Sequence, residues 1–124
     1  MSSLVLSRRD IDFLLFEWLK VTELCERARY AEHSRDTMDA ALDVAEQIAT
    51  TYFAPFNKKG DQQEPTYENG RVETLEELAV ALREFASAGL LAADKDYDVG
   101  GMQLPVAVER ACFAWFLGAN LGFA

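Results

Sequence analysis

Apolar residues recur at three- and four-residue intervals in four stretches of this chain, separated by segments rich in turn formers. The strongest run is 36–54. There Met38, Ala41, Leu42, Ala45, Ile48, Ala49, Tyr52 and Phe53 share one face, and Asp39, Asp43, Glu46 and Gln47 hold the other. Pro55 lacks the amide hydrogen that a helix needs, so this helix is expected to stop near it. A shorter stripe in 8–20 comprises Ile11, Leu14, Leu15, Trp18 and Leu19, widened by Phe13 and Phe16, with Ser7 and Asp10 at capping-box spacing. The third stripe lies in 75–88: Leu75, Leu78, Ala79, Leu82, Phe85 and Ala86. Thr74 and Glu77 stand at its start in capping-box spacing, and Gly89 suits a left-handed helix end. Pro105 opens the fourth run, 105–122. The pattern predicts an all-α fold, a helical bundle of about four main helices.

The connections are polar. Val21 to Arg35 is dense in charge and reads as irregular or as one short helix. Residues 57–72 contain Lys58-Lys59-Gly60-Asp61, Pro65 and Asn69-Gly70, the chemistry of a long turn-rich loop. Leu90 to Pro105 holds Gly100 and Gly101, which allow positive φ or close approach of a neighbouring backbone. The chain is expected to turn most sharply there.

Composition narrows the function classes. With 124 residues, half of them apolar, the chain can bury one core but not two. Its net charge is −9 and its 12 basic residues are scattered, which excludes the basic face needed for nucleic acid or an anionic membrane. Cys25 and Cys112 fit no metal or redox spacing and read as reduced thiols. His33 is the sole histidine, expected on the surface near a helix start; alone it builds neither a metal site nor a triad. Arg8, Arg9, Asp10 and Asp12 interrupt any apolar leader, and a cytoplasmic protein is expected. Trp18, Met38, Phe53, Phe85 and Trp115 read as core, and Glu109 beside Arg110 as a surface ion pair.

The segment from Leu90 to Pro105 (Leu-Leu, an acidic lead-in, Tyr97, Gly100-Gly101, Leu104-Pro105) resembles a loop in the N-terminal helical domain of acyl-CoA dehydrogenases. The family writes it L-G-L-x-x-P-x-x-Y-G-G-x-G-L. Here Asp94 to Asp96 replaces Pro-Glu, Asp98 and Val99 separate Tyr97 from the glycines, and Gln103 stands at the third glycine. Further matches follow the family's order. Leu6 to Glu17 is similar to the extra N-terminal segment of a longer subgroup. Phe53-Ala54-Pro55-Phe56-Asn57 resembles the end of the first long helix, and Phe85 to Leu91 the family's helix-to-loop passage. Ala119, Asn120 and Phe123 match the longer subgroup's Ala-Asn-x-x-Phe.

The resemblance implies residues 1–34 as an N-terminal extension helix and connection, and 35–124 as the N-terminal-like helical domain. The parent protein would be an FAD-dependent oxidoreductase of fatty-acid metabolism that desaturates an acyl-CoA thioester. It would be a homo-oligomer whose catalytic base and flavin contacts lie in its remaining domains. Gly118, Asn120, Leu121, Gly122 and Phe123 would line the acyl end of the substrate pocket. No catalytic, cofactor or metal residue is expected in this segment, and the isolated chain is expected to bind no flavin.

Ala111 to Ala124 carries no charge and is too short to cross a bilayer. An all-round apolar helix must be buried, so these residues are expected to fray or to self-associate through Phe116, Leu117, Leu121 and Phe123. The domain is therefore expected to be truncated at its C-terminal end. The alternative reading is a stand-alone helical protein–protein interaction module with an apolar docking tail.

Overall fold

A computed structural model describes residues 5–124, and they are mostly helical. Helix α1 (Arg8–Asp12) starts where the Ser7 hydroxyl accepts the Asp10 amide at 3.3 Å. It runs on into a wide π turn, Phe13–Trp18, closed by Leu19 N–H donating to Leu14 O at 2.9 Å. Lys20, at φ 53°, ends the path, and two short 3₁₀ turns follow at Val21–Glu26 and Ala28–Tyr30.

Helix α2 (Arg35–Ile48) opens on a capping box between Ser34 and Thr37, then widens into a π turn at Ala49–Phe53. Thr50 assists the widening, because its hydroxyl donates to the Glu46 carbonyl at 2.8 Å. Pro55 does not end the helical path as expected. It sits in the first turn of a 3₁₀ segment, Ala54–Phe56, where no amide hydrogen is needed, and α3 (Asn57–Gln62) follows at once.

The acidic side of α2 is not a free solvent face. Arg8 reaches across from α1 to Asp43 (2.5 Å), Asp39 (3.4 Å) and Glu46 (3.7 Å), while also pairing with Asp12 at 3.0 Å. Burial opposes the charge on this guanidinium, but hydrogen bonds to Asp43 and Asp12 outweigh it and hold the group above its ordinary range. Arg35 lies 3.5 Å over the Phe16 ring and fastens the same two elements. The outer side of the first element stays open. Trp18 is 69% exposed, so its expected place in the core is corrected, and Phe13 is 53% exposed.

The polar loop expected over 57–72 is ordered structure instead. After α3, strands β1 (Thr66–Glu68) and β2 (Arg71–Glu73) pair antiparallel, with Tyr67 opposite Val72. Asn69 (φ 53°) and Gly70 (φ 75°) make the two-residue turn, the pair of positive φ angles that a tight hairpin requires.

Helix α4 (Glu76–Ser87) follows without the expected capping box. Its N-cap is Leu75, not Thr74, and Glu77 pairs with Lys59 of α3. Its packing face is rotated from the expected stripe: Ala81 is fully buried, while Ala79, Leu82 and Ala86 are exposed. Gly89 closes the helix in the left-handed conformation, as the sequence implied.

Helix α5 (Val106–Ala119) packs along α2, with Val108, Trp115 and Phe116 facing Met38, Leu42 and Phe53 in the core. Phe116 meets Phe53 edge-on at 4.8 Å and Phe85 at 4.9 Å. Among the described residues no helix is long and apolar enough to cross a membrane.

Candidate functional site

Of the expected site residues Gly118 lies in the last turn of α5, and Asn120 to Phe123 follow the helix, which stops at Ala119 rather than near 122. Asn120 leaves helical geometry (φ −162°) and turns its amide inward. Its Nδ2 donates to the Phe53 carbonyl at 3.1 Å, and its Oδ1 accepts the Phe123 amide at 3.2 Å. The Ala124 amide donates back to the Asn120 carbonyl at 3.1 Å. One buried side chain thus folds the tail against the π turn of α2.

This corrects the expected behaviour of the tail. Phe116 and Phe123 are buried, the latter 6.0 Å from the Phe53 ring, so neither offers a surface for self-association. Leu117 and Leu121 are exposed, as that reading required.

Two clefts meet at this turn. Asn120, Leu121, Gly122 and Phe123 line one of about 490 Å³, facing Gly60, Leu75 and Leu78, with Asp61 and Glu64 at its polar rim. The other, about 420 Å³, is lined wholly by apolar residues, among them Phe53, Leu82, Phe85, Leu91, Phe116 and Phe123. Phe123 is common to both. Gly118 lies apart: a Cβ there would meet Val5 Cγ1 at 2.9 Å, so the space beside it is already filled. A Cβ on Gly122 would come no closer than 3.5 Å to Asn120 Oδ1.

Sequence reasoning missed the opposite wall of the first cleft. Gly60 packs on Phe123, where a Cβ would stand 3.4 Å from the ring, and Leu75 and Leu78 face it from α4. The apolar stripe of α4 already contained both leucines. What it lacked was any sign that Gly60 was ordered.

The double-glycine loop is built for close approach. Gly100 has φ 85°, whereas Gly101 is buried, and a Cβ there would fall 2.1 Å from the Lys95 carbonyl oxygen. Arg29 pairs with Asp96 at 2.7 Å, and Gln103 Nε2 donates to the Arg29 carbonyl at 2.9 Å. His33 is half-buried and bonded at both ring nitrogens, 2.8 Å from Met102 O and 3.2 Å from Thr37 Oγ1. It is more than a surface residue near a helix start.

Other chemistry is sparse. Cys112 is buried, and burial first, then the charge of Glu109, pushes its thiol up to about 12. Cys25 is half-buried, and both thiols are free. Glu109 Oε2 lies 3.3 Å from Arg110 Nε, but this oxygen is buried and makes no hydrogen bond, so the pair is not the surface one expected from sequence. Among the described residues no three His, Cys, Asp or Glu side chains are grouped to hold a metal.

No protein-family model and no curated protein matches this chain.

Proposed function

We propose that this chain is the N-terminal helical domain of a flavin-dependent acyl-CoA dehydrogenase and forms one wall of its acyl pocket. The observation that carries the reading is convergence. Four of the five residues marked by the resemblance, Asn120 to Phe123, line one cleft, and Phe123 is shared with a second cleft that has no polar side chain in its lining. The second cleft suits a hydrocarbon chain, which gains by leaving water and needs no directional partner, whereas the first mixes Leu75, Leu78 and Phe123 with Asn57, Gln63 and Thr74.

The same geometry limits what part of the substrate fits. Asp61 and Glu64 at the rim of the larger cleft repel the phosphates of coenzyme A, so only the acyl end belongs here. In this reading the catalytic glutamate and the residues that would hold the flavin, which would supply the hydride acceptor, belong to other domains of the parent enzyme. This chain's residues shape and dry the pocket around the tail of the substrate.

A docking module remains the second reading, favoured by the open apolar groups Phe13, Trp18 and Leu19 on the first element. The protein purified from its own cell separates the two. A polypeptide much heavier than this chain, with flavin absorbance bleached by acyl-CoA, supports the dehydrogenase. A colourless polypeptide with the mass of this chain alone supports the module.

A further inference from the structure

We infer that β2 is a self-complementary edge that pairs antiparallel with β2 of a second copy of this chain, joining two hairpins into one four-stranded sheet. All six strand residues of the hairpin are exposed, Tyr67 at 72% and Val72 at 64%. A two-stranded hairpin with no buried face is marginal by itself, and further strands stabilise it.

The register decides which backbone groups are free. Asn69 and Gly70 make a two-residue turn, so Glu68 and Arg71 beside it form the pair that exchanges both backbone bonds. The next pair, Tyr67 and Val72, therefore points its amides and carbonyls outward, towards the two edges of the hairpin. The edge of β1 is blunted. Pro65 stands two residues before Tyr67, on the same outward side, and has no amide hydrogen to give. The edge of β2 carries no such block.

The residues of β2 point to the occupant. When Arg71-Val72-Glu73 runs against itself about a two-fold axis at Val72, the two outward-facing valines exchange both of their backbone bonds. Arg71 then stands opposite Glu73 of the second copy, and Glu73 opposite its Arg71, in the pairs whose side chains come closest. Among the described residues Glu68, Arg71 and Glu73 make no ion pair within the chain, so these charges are uncommitted. On one face of the joined sheet Tyr67 and Val72 of both copies form a continuous row. The same operation on β1, about Tyr67, would set Thr66 against Glu68 and form no ion pair. Strands this short bury far less than the roughly 1,600 Å² of a standard interface, so the dimer is expected to dissociate on the order of 100 μM.

The test is sedimentation of the full chain from about 10 μM to about 1 mM, spanning that dissociation constant. At about 0.15 M salt, repulsion between copies of net charge −9 is screened beyond about 8 Å, whereas charges in contact still pair. A monomer–dimer equilibrium is expected. Arg71→Glu and Glu73→Arg each set like charges opposite one another twice, and each should weaken the dimer about tenfold. An equal mixture of these two variants should associate as the native chain does, because opposite charges then face each other again. The double variant Arg71→Glu/Glu73→Arg should do the same. Both positions are exposed, so the fold is expected to survive every variant. A chain that stays monomeric throughout overturns the proposal and leaves this edge to a strand of another protein. A dimer that both single variants leave intact overturns it too, and places the contact elsewhere, as on Phe13, Trp18 and Leu19. So does a mixture or a double variant that fails to restore association.

Discussion

Asn120 and Phe53 are joined by a hydrogen bond of 3.1 Å between a buried amide and the carbonyl of a π turn, 67 residues apart in sequence. The bond fixes where the chain goes after α5 and so places the wall shared by both clefts.

Asn120→Ala takes the donor away from the Phe53 carbonyl in the interior, while the Phe123 amide keeps its 3.2 Å bond to the Asn120 carbonyl. The expected loss is about 2–3 kcal/mol, read from denaturant midpoints. A loss below about 0.5 kcal/mol would mean that water satisfies the Phe53 carbonyl and the tail is not pinned by it.

Leu42 is fully buried on α2, so Leu42→Asp should unfold the domain. Asp43→Ala removes one of four carboxylates around Arg8, and its own side chain is 69% exposed. That change should cost less than about 1 kcal/mol. Circular dichroism melts of the two variants should differ widely, and equal melting temperatures would place the packing face of α2 elsewhere.

The adjacent glycines should differ in tolerance. Gly100→Ala has open space and suffers only from its φ of 85°, about 1 kcal/mol. Gly101→Ala drives a methyl group into the Lys95 carbonyl and should cost about 2–3 kcal/mol. Thermal melts decide it, and the reverse order would contradict the loop geometry.

Cys112 gives an alkaline signature. Its folded-state thiol is raised from 9.0 to about 12, so the fold favours the neutral form. That contribution is fully present below pH 9 and is lost as pH rises towards 12. Cys112→Ala should flatten this part of the stability profile. In the native protein at pH 8 a thiol reagent should modify Cys25 well before Cys112, and equal labelling rates would show that Cys112 is accessible.

The helices were legible because their apolar stripes obey a period that burial enforces, and Met38, Leu42, Ala45 and Phe53 are buried where the stripe put them. The hairpin was not, because all six of its strand residues are exposed and carry no inside–outside alternation. Asn69-Gly70 was its one signal. Arg8 amid the acids of α2 is a contact between elements, and no local pattern announces it. Thr74 followed by Glu77 looked like a cap, yet Lys59 from α3 claims that glutamate. Asn120 to Phe123 were singled out through resemblance, but their packing into one cleft depends on the distant Phe53 carbonyl and on Gly60, which no local pattern announces.

The most direct test of the acyl-wall reading is flavin bleaching in the intact natural protein, measured against a series of acyl-CoA chain lengths, with and without Gly122→Leu. Gly122 borders the larger cleft and has room for a side chain. The added bulk should shift preference towards shorter chains, at about 1 kcal/mol per methylene displaced. An unchanged chain-length profile, or a protein that no acyl-CoA bleaches, would contradict it.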